Sequence, residues 1–151
     1  MNYSASIMIQ RPIEDVFDLT LHHVAEWSNI VVEDEVIEDV SNGDIGTRFR
    51  TTTVDRGREM IFEGIVTEHE PPTLSSIEMR GGVRLTIIAT YEFSRVDGGT
   101  QVTQHTSVSG KGIIFNLFFL LFGWLARKSS CDAAYNELQS LREFCENYDE
   151  A

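Results

Sequence analysis

Between residues 83 and 94 apolar and polar side chains alternate almost one for one. Val83, Leu85, Ile87, Ala89, Tyr91 and Phe93 share one face of an extended chain, and Arg84, Thr86, Thr90 and Glu92 take the other. A period of two over a dozen residues predicts a β-strand with one face buried. Looser forms of the same pattern predict strands over residues 3–9, 30–40, 47–55, 59–69, 74–80 and 100–109. The breaks between them are Asn42-Gly43, Arg56-Gly57-Arg58, Pro71-Pro72, Gly81-Gly82 and Asp97-Gly98-Gly99. After the first strand, Pro12 is expected at the first helical position. Glu14 and Asp15 follow in the positively polarised first turn, and Ile13, Val16 and Phe17 form an apolar face. A second short helix is expected over residues 22–27.

Beyond Gly110 and Gly112 the period becomes helical and stays so, predicting one helix of more than thirty residues or a helix that breaks near Gly123. Its last part carries a narrow stripe, Cys131, Ala134, Leu138, Leu141 and Cys145, at intervals of three and four, which predicts packing on the sheet. Its first part differs. Residues 113–125, IIFNLFFLLFGWL, put Phe115, Phe118, Phe119 and Phe122 on one side and Ile114, Leu117, Leu121 and Leu125 on the next. At ~1.5 Å per residue this run reaches roughly 20 Å, short of the ~30 Å hydrocarbon core of a bilayer. So wide an apolar arc is either buried on two sides or offered to a ligand, a partner or a membrane interface.

Composition narrows the partners. In 151 residues, 24 acidic against 12 basic side chains leave a net charge of -12, which repels a phosphate backbone and excludes nucleic acid as the expected partner. Arg127 and Lys128, just after the apolar run, would allow a small local attraction to anionic lipid, so peripheral membrane contact stays open, as does a homodimer through the same segment. The length suits a single domain, 1–151, with a core that needs no staples. Cys131 and Cys145 lie about 20 Å apart along a helix, too far to bridge, and are expected as reduced, buried thiols. No signal-peptide or lipidation pattern is present, so a cytoplasmic location is expected.

Motifs for chemistry are sparse. There is no nucleophile elbow and no phosphate loop, and Gly110-Lys111-Gly112 has Phe115 where a dinucleotide turn needs its third glycine. His22, His23, His69 and His105 lack metal-ligand spacing, so no metal or cofactor is expected; His69 and His105 are expected to face solvent. The acidic string Glu33, Asp34, Glu35, Glu38 and Asp39 lacks the glycine and spacing of a calcium loop and predicts a solvated edge strand blunted by charge.

The order of strand, two short helices, six antiparallel strands and a long helix carries a family resemblance. Its marks are Ile9-Gln10-Arg11-Pro12-Ile13-Glu14-Asp15-Val16-Phe17, Gly46-Thr47-Arg48-Phe49, Gly64-Ile65-Val66-Thr67-Glu68-His69-Glu70-Pro71-Pro72, Tyr91-Glu92-Phe93 and Gly98-Gly99-Thr100-Gln101-Val102. Over essentially its whole length the chain resembles the START-like (SRPBCC) superfamily, in its polyketide cyclase/dehydrase and lipid-transport branch. The resemblance implies an α+β helix-grip fold, with a curved seven-stranded antiparallel sheet wrapped around the C-terminal helix. It also implies a cavity between them, gated by the segment before the helix. Members include lipid and sterol carriers, quinone-binding proteins, hormone receptors and polyketide cyclases, so the fold does not select a function.

Taking the more apolar face of each strand as inward puts Phe49, Thr51 and Thr53, then Met60, Phe62 and Val66, then Leu85, Ile87, Ala89 and Tyr91, then Val102, Gln104 and Thr106 in such a cavity. The candidate ligand contacts are Trp27, Phe49, Thr51, Met60, Phe62, Ile87, Tyr91, Gln104, Phe115, Phe118, Phe119 and Phe122. An apolar lining with a few neutral hydrogen-bonding groups suits a hydrophobic small molecule: a lipid, an isoprenoid or quinone, or a polyketide-like compound. Two alternatives remain open. One is a cyclase or dehydratase on a similar substrate, with Tyr91 or Glu78 as its acid/base group. The other is a membrane- or partner-docking module using residues 113–125.

Overall fold

The computed structural model of the chain describes residues 1–55, 57–81, 85–110 and 113–149; the side chains of residues 55 and 113–127 lie outside that description. Ten elements follow in order: β1 (Asn2–Ile9), α1 (Ile13–His22), α2 (Val24–Trp27), β2 (Val31–Glu38), β3 (Arg48–Asp55), β4 (Arg58–Glu70), β5 (Leu74–Gly81), β6 (Leu85–Val96), β7 (Gly99–Gly110) and α3 (Ile113–Asn147). The strands form one antiparallel sheet in the order β1-β7-β6-β5-β4-β3-β2. This is the expected helix-grip architecture, an open curved sheet with a long C-terminal helix.

The topology is a meander from β2 to β7 that returns beside β1. The two short helices carry the chain from one sheet edge, β1, to the other, β2, and so close one end of the sheet. Pro12 caps α1 instead of entering it: its extended ψ of 147° places it just outside, and the helix starts at Ile13. Bulges between Val31 and Glu33, Val36 and Glu38, and Val66 and Glu68 break the ladders of β2 and β4, where they add local bend and twist.

α3 runs unbroken through Gly123 for 35 residues. Its last half supplies the expected stripe: Ala134 is buried, and Leu138, Leu141 and Cys145 are fully inaccessible. These pack with Ile7, Ile9 and Val102 from β1 and β7, Phe93 from β6, and Ile13, Val16, Phe17 and Leu19 from α1. Phe17 meets Phe93 edge-on at 5.1 Å. Arg11 locks the helix end, donating from Nη1 to the carbonyls of Cys145 and Tyr148, both at 2.7 Å, and from Nε to Asp15 at 3.0 Å. A guanidinium there satisfies carbonyls that the helix leaves unpaired.

The core therefore occupies one end of the concave face. Among the described residues α3 packs chiefly along β1, more lightly on β7, α1 and α2, and makes no comparable approach to β3, β4 or β5. No helix of the described residues is long and apolar enough to cross a membrane. Shortening Leu138 to alanine removes a side chain with no accessible surface from the centre of this packing. It should lower the unfolding free energy by about 3 kcal/mol, read from the urea midpoint.

Candidate functional site

Cross-strand register decides which side chains share the concave face. The ladders run Ile7 opposite Val102 opposite Phe93, and one step further along, Ala5 opposite Gln104 opposite Tyr91 opposite Ser75 opposite His69. Further from the core the same face carries Thr106, Ala89, Ile77 and Val66, then Ile87, Met79 and Phe49, and near its far edge Phe62, Thr51 and Asp34. Phe49, Thr51, Met60, Phe62, Ile87, Tyr91 and Gln104 thus lie on one surface, as strand alternation predicts.

Two large rings on that surface lie against the sheet. A Cβ added at Gly64 would sit 2.3 Å from the Phe49 ring, and one at Gly81 would sit 2.5 Å from the Phe62 ring. Each phenylalanine therefore covers the bare backbone of a glycine on the next strand, an aromatic–glycine pairing that side chains at 64 and 81 would prevent. Both rings are buried.

Tyr91 is both enclosed and accessible. Burial drives its pKa well above the ordinary tyrosine range, with further rises from Glu137 and Tyr3, yet the side chain keeps accessible surface. Ile77, Met79, Ile87 and Gln104 are likewise only partly buried, whereas Phe93 and Val102 in the adjoining core are buried. The remaining accessible surface of these residues lies on the concave face. Gln104 donates from Nε2 to the Tyr91 hydroxyl at 2.9 Å. From α3, Glu137 contributes a carboxylate that accepts from Ser28 Oγ at 2.5 Å and from the Asn29 N–H at 2.6 Å. Burial raises the Glu137 pKa, opposed by those two bonds. With Ser140 donating to the Trp27 carbonyl, they tie the α2–β2 loop to α3.

Three placements differ from the sequence expectation, those of His69, Glu78 and Trp27. Asp34 lies on the exposed edge strand as expected; the bulge after Val31 puts it on the concave side of that edge, where it accepts from Thr51 Oγ1 at 2.6 Å, and partial burial raises its pKa despite that bond. Its neighbours Glu33 and Glu35 do fall on the outer face. His69, expected in solvent, is turned inward by the bulge between Val66 and Glu68 and lies 5.7 Å from the Phe17 ring. Its Nδ1 is the buried side-chain polar atom without a partner among the described residues. Glu78 pairs across the sheet with Ile65 and Ile88 on the convex face and meets Arg80 at 3.1 Å, which removes it as an acid/base group of the concave face. Trp27 is part of the packed core, with its indole N–H donated to the Thr20 carbonyl at 3.1 Å. Lastly, the side chains of Phe115, Phe118, Phe119 and Phe122 lie outside the described residues, as do Arg56, Gly82, Val83, Arg84, Lys111 and Gly112.

His105 is exposed on the convex face, 3.5 Å from Glu92. No group of three potential metal-ligating side chains comes together among the described residues.

This arrangement has relatives. A family profile described as "Polyketide cyclase / dehydrase and lipid transport" matches residues 1–140. The chain belongs to that family. Of solved structures, TTHA0849 from Thermus thermophilus superposes with a TM-score of 0.77 at 20% identity, covering 96% of this chain and 97% of the other. A Staphylococcus aureus protein of unknown function, SA2116, gives 0.74 at 18%, covering 97% and 93%. The di-domain ARO/CYC BexL of the BE-7585A biosynthetic pathway gives 0.73 at 18%, covering all of this chain and 50% of BexL. No curated protein matches the sequence significantly. At these identities the structural likeness establishes the fold.

For this family member the ring–glycine pairs are directly testable. Gly64→Ala should cost about 1–3 kcal/mol by overpacking against Phe49, and much less in a Phe49→Ala background, so a double-mutant cycle on urea unfolding should show strong coupling. For Asp34, a folded-state pKa above the ordinary 3.8 means that the folded protein holds its proton to higher pH than the unfolded chain does. The contribution is therefore complete below the ordinary value and lost as pH rises through the raised one. Asp34→Asn, which keeps an acceptor for Thr51, should raise the urea midpoint at pH 7, and the gain should shrink as pH falls toward the ordinary aspartate value. A gain that persists unchanged in acid would reject the assignment.

Proposed function

We propose that this chain binds and carries a hydrophobic small molecule, a lipid, isoprenoid or quinone, or polyketide-like compound, in the recess between the concave sheet face and α3. The observation that carries this reading is the pairing of Phe49 and Phe62 with Gly64 and Gly81. A sheet built only to be filled by its own core has no need to lay these inward rings onto glycines, an arrangement that keeps them low on the face. The partial burial of Ile77, Met79, Ile87 and Tyr91 supports the same reading. Affinity would come from burial. At ~25 cal/mol per Å2, removing a few hundred Å2 of apolar ligand surface from water gives several kcal/mol before ordering costs. The aromatic segment 113–125 is proposed as the gate. Two free cysteines, one of them fully buried with its thiol pushed up to about 12 by burial, are in keeping with a reducing cytoplasmic setting.

A cyclase or dehydratase acting on a similar substrate is the second reading. It is favoured by family membership, by the naming of BexL as an aromatase/cyclase, and by the closeness of Tyr91 and Glu137 at one end of the recess. Tyr91 would act there as a hydrogen-bond donor polarising a ligand carbonyl.

Native mass spectrometry of the purified chain, followed by organic extraction, tests the carrier reading. A co-purifying lipophilic molecule, or saturable uptake of Nile red by the empty protein, is the expected result. An empty protein that takes up no apolar dye overturns it.

A further inference from the structure

The concave face is polar along one row, and that row holds no Lys or Arg. His69, Ser75, Tyr91 and Gln104 stand side by side on four adjacent strands, immediately above the apolar row of Phe93, Val102 and Ile7 that belongs to the packed core. In the proposed recess they form the floor, next to the packed core. The walls beyond them are apolar, with Ile77, Met79 and Ile87 the nearest partly accessible side chains. A floor of neutral donors and acceptors under apolar walls is built for a molecule with one polar end.

The chemistry of that end follows from the hydrogen bonds. The Tyr91 hydroxyl accepts from Gln104, which leaves its own proton without an acceptor among the described residues. A phenol that accepts one hydrogen bond becomes a better donor of the next. His69 adds a buried Nδ1 without a partner on the same row. Buried polar atoms of this kind are normally satisfied, and a ligand oxygen would satisfy them.

Charge supplies the second half. Beyond the packed core, the ladders put one described Lys or Arg of the sheet on the concave face, the exposed Arg58, which lies beyond Met60 at the opposite end of β4 from His69. Arg11 is committed to the end of α3, and Arg95 pairs with Glu14 at 2.7 Å on the far side of the core. Asp34 borders the far edge of the face on β2, and Glu137 stands on α3, where its charge reaches Tyr91. A carboxylate or phosphate brought to this floor would lose its water, find no Lys or Arg on the row and meet the like charge of Glu137.

Resting on the carrier reading above, we infer that the ligand is a neutral amphiphile. Its ketone, quinone or hydroxyl oxygen is bound at Tyr91 and Gln104 and its hydrocarbon part lies along Ile77, Met79 and Ile87, while fatty-acid and phospholipid anions are rejected. Displacement of Nile red, itself neutral, by three competitors of equal carbon count tests this on the full chain: methyl nonyl ketone, undecane and undecanoate, at a pH where the last is ionised. The ketone should displace the dye at about tenfold lower concentration than undecane, the effect of one well-made hydrogen bond, and undecanoate should be the weakest of the three. Tyr91→Phe should abolish the preference for ketone over undecane while leaving undecane binding unchanged. Gln104→Leu, which leaves Tyr91 in place but unpolarised, should reduce that preference and serves if the first variant fails to fold. Equal or tighter binding of undecanoate, or an intact ketone preference in both variants, overturns the inference and leaves the carrier reading standing. Failure of every competitor and of Nile red to bind overturns both.

Discussion

The burial of Leu138, Leu141 and Cys145 against Ile7, Ile9 and Val102 is the contact on which the rest of the molecule depends. It seats the last half of α3 at one end of the concave face, and Arg11 holds the helix end there through two carbonyls. Among the described residues α3 makes no comparable approach to β3, β4 or β5, and the proposed recess would lie on that side of the core. Phe49 and Phe62 lie low on the face there, each over a glycine.

Polarity in the interior is arranged along the same axis. Apolar packing is complete around Phe93 and Val102, hydrogen-bonding groups begin two residues further along each strand at Tyr91 and Gln104, and carboxyls stand at Asp34 on the far edge and at Glu137 on α3. Glu137 has two tasks in this scheme. Its carboxylate binds the α2–β2 loop to α3, and its charge reaches Tyr91. Loop position and the electrostatics of the recess floor are thus linked through one side chain.

Much of this was legible in the chain because alternation is a local property. The inward set on β3, β4, β6 and β7 follows from period two, and the buried stripe from Ala134 to Cys145 follows from intervals of three and four. The failures have separate causes. A bulge inserts one residue and reverses every side chain after it, so His69 came out on the opposite face from that expected. Glu78 lies on an outer face that its own strand, with Leu74, Ile77 and Met79 among polar neighbours, marks less sharply. Trp27 is committed to the core by Thr20, a partner seven residues away across a helix turn and a break. No sequence spacing announces that bond.

The amino-acid order by itself determined the elements, their sequence, the antiparallel meander and the family, since each is set by short-range periodicity and by turn residues that act within a few positions. It also set the acidic character of the chain. Tertiary structure alone decided where the packed core sits on the concave face, that Gly64 and Gly81 receive the rings of Phe49 and Phe62, and that Gln104 meets Tyr91 across the strands. Those outcomes depend on strand register and helix placement, which are settled by packing between residues tens of positions apart and leave no local trace in the chain.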